Sequence, residues 1–199
     1  MAGREARIER QTSETQISLT LCLDGQGIHQ VATGNGMLDH MVRQLSRHGM
    51  LDITLSAHGD LDVGWHHLVE DTAITLGRAF HQALGDGRGI RRMGHALVPL
   101  DETLAMVAVD LSGRGYASID LDLDGQMVET LPGDLLHHFL ESFAVEGRMN
   151  LHVKVMAGRN AHHKAEAVFK ALARSLRDAL EPDPRAAGEV PSTKGTISG

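Results

Sequence analysis

The chain has 199 residues and a formal net charge of -7, and this acidic balance argues against a general nucleic-acid binder, which needs clustered Lys and Arg. The only cysteine, Cys22, excludes an internal disulfide and a cysteine-rich zinc site and fits a reducing compartment. No segment approaches the roughly 20 apolar residues of a membrane helix, and the charged start lacks the apolar stretch of a signal peptide. We therefore expect a cytoplasmic protein that binds neither nucleic acid nor membrane.

Strand and helix patterns alternate in the first half of the chain. Residues 17–23 alternate apolar and polar side chains with the period of a half-buried strand, and Asp-Gly-Gln-Gly at 24–27 predicts a hairpin turn. A helix is predicted at 38–47 and a strand at 51–55. Residues 66–84 predict a long helix, because their apolar side chains recur on one helical face before Gly-Asp-Gly ends the pattern.

The second half repeats this order. Its predicted elements are a strand at 104–111, a turn at 112–115, a strand within 116–123, a helix at 135–143, a strand at 151–155 and a long helix at 162–180. Pro182 and Pro184 end the last helix. The tail beyond them has neither helical nor strand periodicity.

Landmark residues in the two halves line up at a nearly constant shift. His40 and Gly49 match His138 and Gly147 at a shift of 98. This repeat predicts an α+β fold with an internal duplication, in which each of two similar halves forms a mostly antiparallel four-stranded sheet packed against two helices. The expected division is a first half at 1–92 and a second half at 93–199, which ends in a polar loop at 190–196.

Two uncommon segments carry most of the functional information. His66-His67-x-x-Glu70 recurs as His162-His163-x-x-Glu166, and neutral imidazoles with a carboxylate suit a divalent ion such as manganese, iron or zinc. On a helix, the first histidine and the glutamate share a face, whereas adjacent histidines differ by about 100°. Each His-His pair therefore predicts two ions, each also bound by residues from elsewhere.

The histidines at positions 40 and 138 are the obvious additional ligands. The candidates divide into two sets of three histidines and one carboxylate, which leaves open positions on a six-coordinate ion; they are His40, His66, His67, Glu70, His138, His162, His163 and Glu166. A single segment is also explained by a solvated helix start whose glutamate lies near the positive end of the helix dipole. Two copies with matching upstream histidines favour the metal-site hypothesis.

Taken together, the segments of this chain resemble the imidazoleglycerol-phosphate dehydratase family of histidine biosynthesis, in order from about residue 8 to 196. The matching segments are Ser13-Glu14-Thr15, Leu38-Asp39-His40-Met41, Arg47-His48-Gly49, His66-His67-x-x-Glu70-Asp71, Pro99-Leu100-Asp101-Glu102, Asp110-Leu111-Ser112-Gly113-Arg114, His138-Phe139, Ser142-Phe143, His162-His163-x-x-Glu166, Phe169-Lys170 and Pro191-Ser192-Thr193-Lys194-Gly195. No phosphatase segment precedes them in this sequence, so the resemblance implies the monofunctional form.

The resemblance implies a hydro-lyase that converts D-erythro-imidazole-glycerol phosphate to imidazole-acetol phosphate. It implies two Mn(II) ions per active site, which bind the substrate ring as imidazolate so that its electrons help to expel the C3 hydroxyl. Glu14 matches an acid/base position and is the expected proton carrier, and His48 matches a position near the substrate. The expected phosphate ligands are Arg92, Arg114, Lys170, Ser192 and Lys194.

The resemblance also implies an octahedral assembly of 24 subunits with active sites between subunits. Many family members have an acidic residue just before the first His-His pair, where this sequence has Gly64-Trp65. An acidic residue there could orient a ligand histidine, so its absence could alter metal affinity. Alternatively, Trp65 could pack at a subunit contact.

Alternatives stay open. A storage assembly would bind metal without a phosphate pocket, and a hydrolase acting on another phosphate ester would release phosphate. The position of Lys170 is equally explained by an ion pair with Glu166 within the helix. The polar loop at 190–196 is equally explained as part of a tail that binds no ligand.

Overall fold

The computed structural model describes residues 3–186 and 188–197. The elements of its first half are β1 (Glu5–Gln11), β2 (Thr15–Cys22), β3 (His29–Ala32), α1 (Gly36–Gly49), β4 (Asp52–Gly59) and α2 (His66–Leu84). The strands form a sheet in the order β1-β2-β4-β3. Strands β3 and β4 are parallel, and the other neighbours are antiparallel.

The second half has the same plan. Its elements are β5 (Met93–Leu100), β6 (Thr103–Asp110), β7 (Tyr116–Asp120), β8 (Met127–Val128), β9 (Leu131–Pro132), α3 (Gly133–Glu146), β10 (Asn150–Ala157), α4 (Ala161–Leu180) and a 3-10 turn (Pro184–Ala186). The main sheet has the order β5-β6-β10-β7, again with one parallel pair, β7 and β10, while β8 and β9 form a small separate ladder.

This architecture confirms the predicted α+β fold of two similar halves, each with a mostly antiparallel four-stranded sheet and two helices. The hairpin turn predicted at 24–27 is wrong, because β2 pairs with β1 and β4, and the chain after the turn enters β3, which runs parallel to β4. Strands β1 and β5 were not predicted from the sequence, and β3, which the hairpin turn implied, was predicted without bounds. All three lie at sheet edges, where the apolar alternation of a strand is weaker.

The four helices lie between the two sheets. Helix α2 packs on β1 and β2, and α4 packs on β5 and β6; across the halves, α1 packs against α4 and α2 against α3. One continuous core therefore contains side chains of both halves. Its largest fully buried members are four phenylalanines, Phe80, Phe139, Phe143 and Phe169. The division at residues 92 and 93 stays a prediction.

Gly77 permits the close approach of α2 and α3. A Cβ at this position would lie 2.8 Å from the backbone N of Gly147 and 2.8 Å from the backbone O of Phe143. Next to this contact, Arg78 Nε of α2 donates to Glu146 Oε2 of α3 at 2.8 Å. The pairing of these two helices matters for the site, because the candidate ligands lie along them.

Candidate metal centre and active site

The packing of α1 against α4 brings three candidate ligands together, which we call the first cluster: His40, His162 and Glu166. Glu166 Oε2 lies 3.0 Å from His40 Nε2 and 3.1 Å from His162 Nε2. Asn160 caps α4 by accepting a hydrogen bond from the backbone N–H of His163, and this cap fixes where the helix begins. All three side chains are partly buried.

The packing of α2 against α3 forms an equivalent second cluster from His66, Glu70 and His138. Glu70 Oε1 lies 3.3 Å from His138 Nε2, and Glu70 Oε2 lies 4.0 Å from His66 Nε2. Next to Glu70, the buried Asp71 accepts from Arg10 Nη2 at 2.6 Å, which ties the start of α2 to β1.

Both clusters have the composition and size of a divalent-metal site. In each, the candidate ligand atoms lie within 4.8 Å of one another. His138 Nε2 is buried and makes no hydrogen bond within the described residues, although a buried polar atom normally has a partner. An imidazole nitrogen in this state, beside a carboxylate, fits the donor set of a manganese, iron or zinc ion.

Each cluster combines the two halves of the chain. The first cluster takes His40 from the first half and its other members from the second, and the second cluster does the reverse with His138. The repeat in the sequence indicates which residues are equivalent. It does not indicate this exchange, which follows from the packing of α1 on α4 and of α2 on α3.

The remaining two candidate ligands, His67 and His163, lie outside both clusters. Their rings stand nearly perpendicular to those of the preceding histidines, at 86° and 88°. His67 Nδ1 donates to Asp60 Oδ2 at 3.0 Å, and His163 Nδ1 donates to Glu102 Oε2 at 2.8 Å. This agrees with the 100° separation of adjacent helical residues, which predicts that paired histidines serve different ions.

Electrostatics differ between the two clusters. Burial alone would raise the pKa of Glu166. Lys170, His40 and His162 instead lower this pKa to about 2, and Lys170 Nζ lies 2.6 Å from Glu166 Oε1. Glu166 is therefore an anion at neutral pH. In the second cluster Ile74 occupies the position four residues after Glu70, so α2 provides no lysine equivalent to Lys170.

Four of the five predicted phosphate ligands line one cavity of about 660 Å³, which we call the basic pocket: Arg92, Arg114, Ser192 and Lys194. The guanidinium of Arg92 is fixed, since it donates to Asp110 Oδ1 at 2.7 Å and to the backbone O of Pro191 at 2.7 Å. Within the single chain, Lys170 is outside this pocket and makes the ion pair with Glu166 that the sequence left open.

The two predicted catalytic residues, Glu14 and His48, lie on different elements: Glu14 just before β2 and His48 on α1. The carboxylate of Glu14 is half exposed, with Oε2 3.8 Å from His67 Nδ1, so it adjoins a candidate metal ligand. His48 is half-buried on α1, and its pKa is lowered by burial and by the nearby charges of Lys170 and Arg174. A neutral imidazole is therefore expected for His48 near pH 7.

Several polar partners were not predicted from the sequence. Asp60 and Glu102 contact the second histidines of the two pairs, and Glu129 Oε1 lies 3.3 Å from His162 Nδ1. A signal existed for Glu102, because Glu102-Thr103 repeats Glu14-Thr15 just before the second strand of each sheet. At the departure from the family pattern, Trp65 packs against the core and gives α2 no side-chain cap.

The sequence profile of the imidazoleglycerol-phosphate dehydratase family matches residues 33–176, which is most of the chain. The chain belongs to the imidazoleglycerol-phosphate dehydratase family. A member from Dehalococcoides mccartyi is 56% identical over 197 residues, with 99% of each chain covered. A member from Gluconacetobacter diazotrophicus is 53% identical over 195 residues, with 98% of each covered.

Solved structures of the family agree with the fold. The imidazoleglycerol-phosphate dehydratase of Staphylococcus aureus superposes with a TM-score of 0.81 at 33% identity and covers 90% of this chain and 99% of its own. The Pyrococcus furiosus member gives 0.81 at 34% identity, with 94% and 99% covered. The protein is therefore a hydro-lyase of histidine biosynthesis, and its family is metal-dependent. Among the described residues, no helix is long and apolar enough to span a membrane.

Proposed function

We propose that the protein dehydrates D-erythro-imidazole-glycerol phosphate to imidazole-acetol phosphate at a dinuclear Mn(II) centre that binds the substrate ring as imidazolate. The observation that carries this proposal is that one chain presents two clusters of imidazole and carboxylate ligands together with a separate pocket for a phosphate. A storage assembly needs no basic pocket, so the pocket favours the enzyme that acts on a phosphorylated imidazole.

The two clusters supply six of the eight proposed ligands, and His67 and His163 supply the other two. Within the described residues, neither ring makes a hydrogen bond through Nε2; each ring bonds a carboxylate through Nδ1, and Asp101 Oδ2 lies 3.8 Å from His163 Nε2. Both Nε2 atoms are therefore available to ions that other chains help to bind. This supports active sites between subunits; the octahedral assembly of 24 chains is proposed from the family resemblance.

The basic pocket suits a phosphate dianion. Arg114 and Lys194 contribute charge, Ser192 contributes a hydroxyl, and Arg92 is held in place by Asp110 and Pro191. Lys170 stays in the proposal as a phosphate ligand supplied to a pocket between chains. It would then exchange part of its contact with Glu166 for the phosphate.

The chemical step needs removal of a proton from a carbon with no adjacent carbonyl group. Two bound Mn(II) ions would supply Lewis acidity and stabilise the ring as imidazolate. We assign the proton transfer to Glu14, whose half-exposed carboxylate lies beside His67 and is a suitable acid or base. The neutral His48 imidazole is assigned a contact with the substrate rather than with a metal.

The test is formation of imidazole-acetol phosphate by the chelated protein, with and without added Mn(II). We expect product only with the metal, and no release of inorganic phosphate. Phosphate release would support a hydrolase instead, and metal uptake without turnover would support a storage role. The cytoplasmic location stays a prediction.

A further inference from the structure

We propose that Glu102 is a positioning residue that sets the tautomer of His163, so that Nε2 of this ring is left unprotonated for a metal ion. The proposal rests on the manganese site proposed above. A hydrogen-bond partner at Nδ1 decides whether Nε2, the other nitrogen of the ring, carries a lone pair or a hydrogen.

The carboxylate of Glu102 makes two different kinds of contact through its two oxygens. Oε1 accepts hydrogen bonds from the backbone N–H groups of Arg159 at 3.1 Å and of Asn160 at 2.9 Å, and from the Thr103 hydroxyl at 3.3 Å. Oε2 accepts from His163 Nδ1 at 2.8 Å. Glu102 therefore joins the turn between β5 and β6 to the segment that enters α4, and it holds the His163 ring at the same time.

The backbone donors fix which carboxylate oxygen of Glu102 faces His163. Because the N–H groups of Arg159 and Asn160 both point at Oε1, that position must be an acceptor. Oε2 is then the only carboxylate atom that faces Nδ1 of His163. A carboxylate at this position accepts, so in the neutral ring Nδ1 carries the hydrogen and Nε2 has the lone pair that a metal needs.

The equivalent place in the first half is built differently. Glu14 occupies the position of Glu102 in the repeat, but it stands 3.8 Å from His67 Nδ1, and Asp60 takes over the hydrogen bond. Both oxygens of Asp60 lie close to Nδ1, at 3.2 and 3.0 Å. By this division Asp60 holds His67, which leaves Glu14 for the proposed proton transfer, whereas Glu102 holds His163.

The contrast gives a sharp test with isosteric substitutions. In Glu102→Gln the amide oxygen must face the two backbone donors, so the amide NH2 group faces His163 Nδ1. Nδ1 must then accept a hydrogen bond, and the ring hydrogen moves to Nε2. We expect Mn(II) affinity to fall ~10- to 100-fold. In the chelated protein, we expect the melting temperature to stay close to that of the wild type, because the contact to the backbone is kept.

Two matched variants lack the directional contact. In Asp60→Asn and Glu129→Gln the amide can turn its oxygen toward the ring nitrogen, since among residues 3–186 and 188–197 neither carboxylate accepts from a backbone N–H group. We expect Mn(II) affinity within about threefold of the wild type for both, on the scale of a small change in a hydrogen bond. Glu102→Ala removes the contact to the backbone as well, and should lower both the melting temperature and the affinity.

The measurements are Mn(II) binding isotherms of the full-length chelated variants and melting curves of the same samples. Wild-type affinity in Glu102→Gln would overturn the inference, as would an equal loss in Asp60→Asn and Glu129→Gln. A manganese-loaded crystal structure with a Glu102 oxygen within about 2.2 Å of an ion would overturn it too, because Glu102 would then be a ligand. Wild-type protein that binds no Mn(II) would contradict the proposed function itself.

Discussion

The close approach of α2 and α3 gives a direct link between packing and metal binding, which Gly77→Ala tests. The new Cβ would lie 2.8 Å from two backbone atoms of α3, about 0.6 Å short of an ordinary contact at 3.4 Å. Since backbone atoms cannot rotate away, the helices must separate by about that distance. Overpacking of this kind costs ~1–3 kcal/mol, of which the better helix propensity of Ala returns up to ~1 kcal/mol.

Separation of the helices also moves His66 and Glu70 of α2 away from His138 of α3. A metal site tolerates about 0.2 Å in its ligand distances, so a shift of about 0.6 Å is expected to weaken binding of the Mn(II) ion at the second cluster while the first cluster keeps its affinity. Calorimetric titration with Mn(II) would show a two-step isotherm, and a melting curve would give the loss of stability.

Gly36→Ala is the matched control for stability, because it is a helical glycine with nothing within 4 Å of the new Cβ. It should not lower the melting temperature. The overpacking cost less the gain in helix propensity leaves ~0–3 kcal/mol, and for a net cost of ~1–2 kcal/mol in the middle of this range we expect Gly77→Ala to lower the melting temperature by ~2–8 °C, at ~2–4 °C for each kcal/mol in a chain of this size. Unchanged stability together with two equally tight ions would refute the reasoning.

Three further outcomes are expected. Arg114→Ala should raise KM ~10- to 100-fold with little change in Mn(II) affinity, as for loss of a charge-assisted bond to phosphate; Arg7→Ala, an exposed arginine paired with Glu9, is the control in the same kinetic assay. Ile197→Ser should raise KM about tenfold at constant kcat, because the buried Ile197 holds the tail that carries the basic pocket. A kcat that falls while KM stays constant would contradict both. Asp60 and Glu102 raise the pKa of His67 and His163 above the ordinary 6.5. Because protons compete with the metal for these rings, Mn(II) affinity should fall as pH falls through the raised values. In the chelated protein, the same ion pairs stabilise the folded state below pH 6.5, and this stabilisation is lost as pH rises through the raised values. Isotherms between about pH 5 and 8 test this, and a pH-independent affinity would contradict it.

The long helices were the most predictable part of the fold. The bounds expected for α2 are those observed, and α4 begins one residue earlier than expected, because a strong apolar face and clear end signals agree in both. The bounds of edge strands such as β3 were missed since few of their side chains are buried. Their place depends on pairing with β4, which local patterns do not contain.

The candidate site divides in the same way. The division of the proposed ligands between two proposed ions was predicted from helical geometry, and the identity of the proposed ligands was predicted from the repeat. The exchange of His40 and His138 between the halves did not follow, because it depends on which helices pack together. Nor did the role of Glu102, whose partners at 159, 160 and 163 are more than 50 residues away in sequence.

The central claim is that two Mn(II) ions per active site enable dehydration. The most direct measurement titrates the chelated full-length protein with Mn(II) and follows bound metal and formation of imidazole-acetol phosphate in the same samples. Because each chain supplies one set of eight proposed ligands, we expect the rate to reach its plateau at about two ions per chain. Full activity at one ion per chain, or without Mn(II), would contradict the claim.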